Sequence, residues 1–160
     1  MKMEVSMALG TCPKRTVGAL AGLFLAMCSG LVACATHQST IVAELSSRSR
    51  IPPAELQQLL SDCDRTQLSM NICAFRNFVA SGLDLDAALK AKRESLPQCR
   101  AQIDRAQASW EAEREKACDE ETEPEEGGSM RPMLISACKT EATQARIAFV
   151  KEMESCSGGQ

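Results

Sequence analysis

Six cysteines between positions 63 and 156, at consecutive spacings of 10, 26, 19, 20 and 18, constrain this chain more than any other feature. Either they are ligands, or they are bonded in pairs. Structural zinc needs closely paired ligands such as C-x2-C, usually with His. No such pair is present among the six, and no His lies beyond His37. The expectation is therefore no metal and no cofactor. Disulfides in turn require an oxidising compartment, which makes the N-terminus the next question.

Met1 to Arg15 carries Lys2, Lys14 and Arg15, and the run from Val17 to Ala35 has no charge. A cationic flank followed by about 16 apolar residues reads as the n- and h-regions of a secretory leader. It falls short of the roughly 20 apolar residues a spanning helix needs. The run closes with Leu31-Val32-Ala33-Cys34, which looks like a bacterial lipobox. In that reading residues 1–33 are removed and the Cys34 thiol receives the lipid. Ala33-Cys34-Ala35 also suits ordinary signal peptidase, giving a soluble secreted protein, and an uncleaved anchor is the third alternative. The lipoprotein reading makes the protein exported and lipid-anchored to the cell envelope. In a cell with two membranes, Ala35 rather than Asp after the lipid site is compatible with an outer-membrane protein facing the periplasm.

Export completes the cysteine arithmetic. Of nine Cys, Cys12 and Cys28 leave with the leader and Cys34 is lipidated. Cys63, Cys73, Cys99, Cys118, Cys138 and Cys156 remain, an even number that reads as three disulfides. Losing three basic and one acidic residue takes the net charge from −3 to −5. An acidic balance with four Phe, one Trp and no Tyr excludes a basic, base-stacking nucleic-acid binder. Residues 34–50 read as the lipidated Cys and a polar, Ser-rich flexible tether, and residues 51–160 as the folded domain.

The domain reads as all-α. Pro52-Pro53 opens a short helix over Ala54–Ser61, and Thr66 caps a second helix to about Ala80. Gly82 is expected to interrupt it before a shorter piece through Leu89. Ser95 and Pro97 signal a further start, with a helix over Gln98–Glu121. There Ile103, Gln107, Trp110, Arg114 and Cys118 share a face. Ser129 can cap a last helix over Met130–Ser155, with Leu134, Cys138, Ala145, Phe149, Met153 and Cys156 as its stripe.

Suppose the two long helices form an antiparallel hairpin. Cys99 to Cys118 spans about 28 Å and Cys138 to Cys156 about 27 Å. Cys118 then meets Cys138 near the loop, and Cys99 meets Cys156 at the open end. Nineteen residues leave Cys99 about 100° off the Cys118 direction on a straight helix, a mismatch that a loose first turn at Pro97 can absorb. Cys63 and Cys73 are left for each other. Ten residues of one helix would hold them about 15 Å apart, so the chain must turn back between them near Asp64.

The order of these residues resembles the LprI-like lysozyme-inhibitor family. The likeness begins at Cys63 and runs through Thr66-Gln67, Met70-Asn71-Ile72-Cys73 and Leu85-Asp86. It resumes at Ile103, Ala106-Gln107-Ala108-Ser109-Trp110, Arg114 and Cys118. It closes with Gly127-Gly128-Ser129, Cys138, Thr143-Gln144-Ala145-Arg146 and Val150. Gly82, Asp86 and Leu89 depart from the family pattern, and Cys99 with Cys156 forms an additional pair. The resemblance implies a small exported helical domain that binds and inhibits lysozyme.

Asp119-Glu120-Glu121-Thr122-Glu123-Pro124-Glu125-Glu126 is the most distinctive local segment. Six of its eight residues are acidic, and such a loop would be steered toward a cationic lysozyme or another cationic envelope-acting protein. Its plainer reading is a solvated loop. Gln107, Trp110 and Arg114 are either a recognition patch or the hairpin seam, and the face they share with Ile103 and Cys118 favours packing, with Arg114 or Arg146 placed to pair with a carboxylate inside the bundle. Phe75 and Phe78 read as core. Without a His in the body there is no conventional triad, and the expectation is no catalytic residue. The competing function is a structural or adaptor lipoprotein of the envelope.

Overall fold

The computed structural model describes residues 29–156, with side chains from Thr36 onward. The leader expected over residues 1–33 lies outside the described residues except for helical backbone from Ser29. The Cys34 side chain also lies outside them. The described residues form five α-helices: α1 (Ser29–Ser49), α2 (Pro53–Leu60), α3 (Gln67–Ser95), α4 (Arg100–Glu121) and α5 (Arg131–Glu152). None of them is long and apolar enough to cross a membrane.

The chain divides into two units, Met1–Ser39 and a second from Thr40 onward. In the first, the Ser39 hydroxyl donates to the Thr36 carbonyl at 2.8 Å. The second unit corrects the tether expectation. Its helical start at Thr40–Ser49 buries Ile41 and Leu45 in a cluster with Leu56 and Leu59 of α2 and Ile72 and Val79 of α3. Ile41 and Leu45 are one turn apart and share a face; two apolar residues in a Ser-rich segment are a weak pattern until α2 and α3 cover them. Arg50, at φ 60°, then turns the chain, and the Ser46 hydroxyl donates to the Ile51 carbonyl at 2.7 Å across the reversal. Leu45 is fully buried. Leu45→Ala should therefore cost about 2–5 kcal/mol in urea unfolding; a cost below about 0.5 kcal/mol, the usual range for surface changes, would return this segment to a tether.

Thr66 caps α3 as expected, its hydroxyl accepting from the Ser69 amide at 3.0 Å. Gly82 does not interrupt the helix, which continues unbroken to Ser95. A glycine costs about 1 kcal/mol there, less than the burial of Val79, Leu85 and Leu89 on either side returns. Ser95 is not the cap of α4. A 3-10 turn, Pro97–Cys99, comes first, and α4 starts at Arg100. Met130 rather than Ser129 precedes α5, which ends at Glu152.

All three disulfides join the expected partners: Cys63–Cys73, Cys99–Cys156 and Cys118–Cys138, with Cα separations of 5.8, 5.2 and 5.7 Å. Cys99 sits in the 3-10 turn and Cys156 lies beyond the end of α5. Both ends of that pair are thus free of helical register, which removes the rotational mismatch.

The α4–α5 hairpin is present, yet α5 packs more extensively on α3. Asn71 Nδ2 donates to the Ser129 carbonyl at 3.0 Å, and Lys92 Nζ donates to the Met153 carbonyl at 2.7 Å. Start meets start and end meets end, so α3 and α5 run side by side in one direction, with α4 antiparallel to both. The buried positions of α5 are Ser136, Thr143 and Val150, seven residues apart, and α3 contributes buried Ser69 and Ser81. Small side chains let two helix backbones approach closely. Their hydroxyls are satisfied within their own helices, Ser136 by Pro132 O, Thr143 by Lys139 O and Ser81 by Phe78 O. The stripe expected on α5 is therefore not its buried side, and Phe149 is exposed.

Candidate functional site

Between α4 and α5 runs a ladder of cations and rings. The Arg114 guanidinium lies 4.9 Å from the Trp110 ring centre and 5.0 Å from that of Phe78. Arg146 lies 5.4 Å from Trp110 and 5.0 Å from Phe149. Arg114 also donates to Thr143 Oγ1 at 3.1 Å, and Arg146 donates to Gln107 Oε1 at 3.2 Å. Gln107 and Cys118 are buried, as the shared α4 face implies. Arg114 pairs with Glu115, which also pairs with Lys139; Glu115 is exposed, so the ion pair sits at the edge of the bundle rather than at the expected place inside it. Burial raises the Glu115 pKa, but hydrogen bonds from Lys139 and Arg114 and their charges outweigh it, leaving it below the ordinary glutamate value. A depressed carboxyl pKa contributes stability above the unfolded value of about 4.3, and that contribution is lost as pH falls through the folded value. Glu115→Gln should thus lower thermal stability at pH 7 but much less at pH 3; an equal loss at both would exclude the ion pairs as its cause.

The ladder leads to the acidic segment. Asp119, Glu120 and Glu121 end α4, and Glu123–Glu125 forms a 3-10 turn. Thr122 alone of this stretch is buried, its hydroxyl donating to the Cys118 carbonyl at 2.8 Å. Arg131 Nε donates to the Thr122 carbonyl at 3.1 Å, while its Nη2 meets Asp119 Oδ1 at 2.6 Å. The turn closes at Gly127, at φ 77°, and Gly128, where a Cβ would come within 2.9 Å of the Glu125 carbonyl oxygen. Disulfide, arginine and glycines together hold the loop in one shape.

Its charge is only partly compensated. Asp119 pairs with Arg131, and Glu120 approaches Lys116 at 3.7 Å. Glu123, Glu125 and Glu126 have no ion-pair partner among the described residues and face solvent. Three of the acids also sit at the negative end of the α4 dipole, with no basic residue in that turn. Helix electrostatics disfavours all three there; Asp119 is offset by its pair with Arg131, whereas the fold itself does not ask for Glu120 or Glu121.

Beside this loop is a groove of about 560 Å³, which sequence reasoning missed. α3 supplies Asn71, Ile72, Phe75 and Phe78, α5 supplies Arg131, Pro132, Ile135, Ser136 and Lys139, and Gly127-Gly128 forms the edge. Phe75 and Phe78 are half-buried and line this groove, and Phe75 also packs against the α1–α2–α3 core cluster as expected. Across a ridge made by Ile135 and Lys139 lies a second depression, of about 320 Å³, lined by Glu115, Lys116 and Asp119. No signal for the groove existed in the local sequence, because its walls come from helices some 60 positions apart.

Among the described residues no group of His, Cys, Asp or Glu is arranged to hold a metal. The model of the lysozyme inhibitor LprI family matches residues 61–149. An uncharacterized protein, R02472, of Rhizobium meliloti (strain 1021) is 32% identical over 117 residues, which cover 63% of this chain and 84% of the relative. No solved structure matches the chain. The family match takes in two of the three disulfides, most of the α3–α5 seam and the whole acidic loop with its groove. The chain belongs to the LprI lysozyme-inhibitor family.

Proposed function

We propose that this protein is exported, carries its lipid on Cys34, and inhibits a cationic lysozyme by covering it with the face that bears the acidic loop. The observation that carries the reading is the uncompensated charge of Glu123, Glu125 and Glu126 on a loop closed by a disulfide, Arg131 and a Gly-Gly turn within a lysozyme-inhibitor family member. Asp119, Glu120 and Glu121 extend the same negative edge along the end of α4. A fixed acidic surface accelerates encounter with a basic protein and orients it. Inhibition then follows from occlusion and needs no chemistry from this chain. The test is the rate at which a purified animal lysozyme hydrolyses cell walls, with and without the oxidised protein at low salt. Slowed hydrolysis is expected. Unaltered hydrolysis, together with recovery of the protein in a complex with another envelope component, would favour the adaptor role.

A further inference from the structure

The acidic loop explains attraction but not a durable contact, because exposed charges across an interface are screened by salt and tune on-rate more than affinity. Durable interfaces depend on an apolar or aromatic anchor seated in a desolvated pocket. The groove beside the loop has that character. Its floor is Ile72, Phe75, Phe78 and Ile135, and its two cations are already occupied, Arg131 by Asp119 and Lys139 by Glu115. What remains unbalanced at its edge is negative, since Gly127-Gly128 directly follows Glu125 and Glu126. The second depression, beyond Ile135 and Lys139, is bordered by the exposed carboxylates of Glu115 and Asp119.

We propose that this groove receives one apolar side chain from a protruding segment of a basic protein, with a Lys or Arg of the same segment lying against the Glu123–Glu126 edge. The charge pattern selects this occupant: an apolar floor with an uncompensated acidic lip repels acidic chains and suits an apolar residue flanked by cations. The inference rests on the functional reading above and adds to it where the partner is gripped.

Ile135→Gln and Pro132→Gln, made in the full-length oxidised protein, test it against a purified animal lysozyme across a range of salt concentrations. Ile135 is half-buried and Pro132 is exposed in the first turn of α5, so helicity and thermal midpoint, read by circular dichroism, should stay close to wild type at least for Pro132→Gln. Each folded variant is expected to bind about tenfold more weakly at low and high salt alike, with the slope of log affinity against log salt unchanged. Wild-type affinity in every variant that folds overturns the groove as the anchor while leaving the functional reading intact. Failure of the wild-type protein to bind lysozyme at any salt overturns both.

Discussion

Reduction of the three disulfides should abolish the cooperative unfolding transition of this protein at room temperature. Cys99–Cys156, Cys118–Cys138 and Cys63–Cys73 close loops of 57, 20 and 10 residues. Chain-entropy estimates give about 4, 3 and 3 kcal/mol for closures of these sizes. The loop from Cys118 lies within that from Cys99, so the contributions overlap and the total is somewhat less than their sum. Even so, it is comparable with the roughly 5–15 kcal/mol that holds a typical domain together. The two core clusters offer little reserve. One is built from six buried aliphatic residues of α1, α2 and α3, and the other centres on Leu85, Leu89, Ile103 and Val150. Circular dichroism of the protein in excess thiol is the measurement. A reduced sample that keeps its helicity and melts within a few degrees of the oxidised one would show that packing suffices.

Neutralising the loop should have the second largest effect, on association rather than on folding. Replacing Glu120, Glu121, Glu123, Glu125 and Glu126 with Gln removes five negative charges while keeping side-chain size. The on-rate for a cationic lysozyme at low salt should fall about 10- to 100-fold, the off-rate should change little, and the salt dependence should flatten. Thermal stability should hold or rise slightly, because Glu120 and Glu121 oppose the α4 dipole. That combination separates a recognition role from a structural one. Stopped-flow or surface-based kinetics at two salt concentrations decides it, and an unchanged on-rate would remove the loop from the mechanism.

Some of this architecture was legible in the residues alone. The matched Cys99–Cys118 and Cys138–Cys156 intervals define two helices of equal length, and the pairing follows from folding one back on the other. The Thr66 cap and the α4 face of Ile103, Gln107 and Cys118 were equally readable, because each is a local pattern with one helical period. The α1 contribution was not. Ile41 and Leu45 reveal their role only when α2 and α3 lie over them, and a Ser-rich context disguises two apolar residues.

The partnership of α3 with α5 was hidden for a related reason. Hydrophobic periodicity finds faces that are buried because they are greasy. This seam is apolar at one end, where Leu85 and Leu89 meet Val150, while elsewhere α5 buries Ser136 and Thr143, whose hydroxyls bond back onto carbonyls of their own helix. From the sequence by itself came the all-helical character, the disulfide pairing and the acidic loop, each set by residues close in the chain or by a length that two segments share. The tertiary structure alone decided that α5 packs chiefly on α3, and with that the groove beside the loop. Its walls meet only once α3 and α5 lie side by side, which no local pattern in either segment announces.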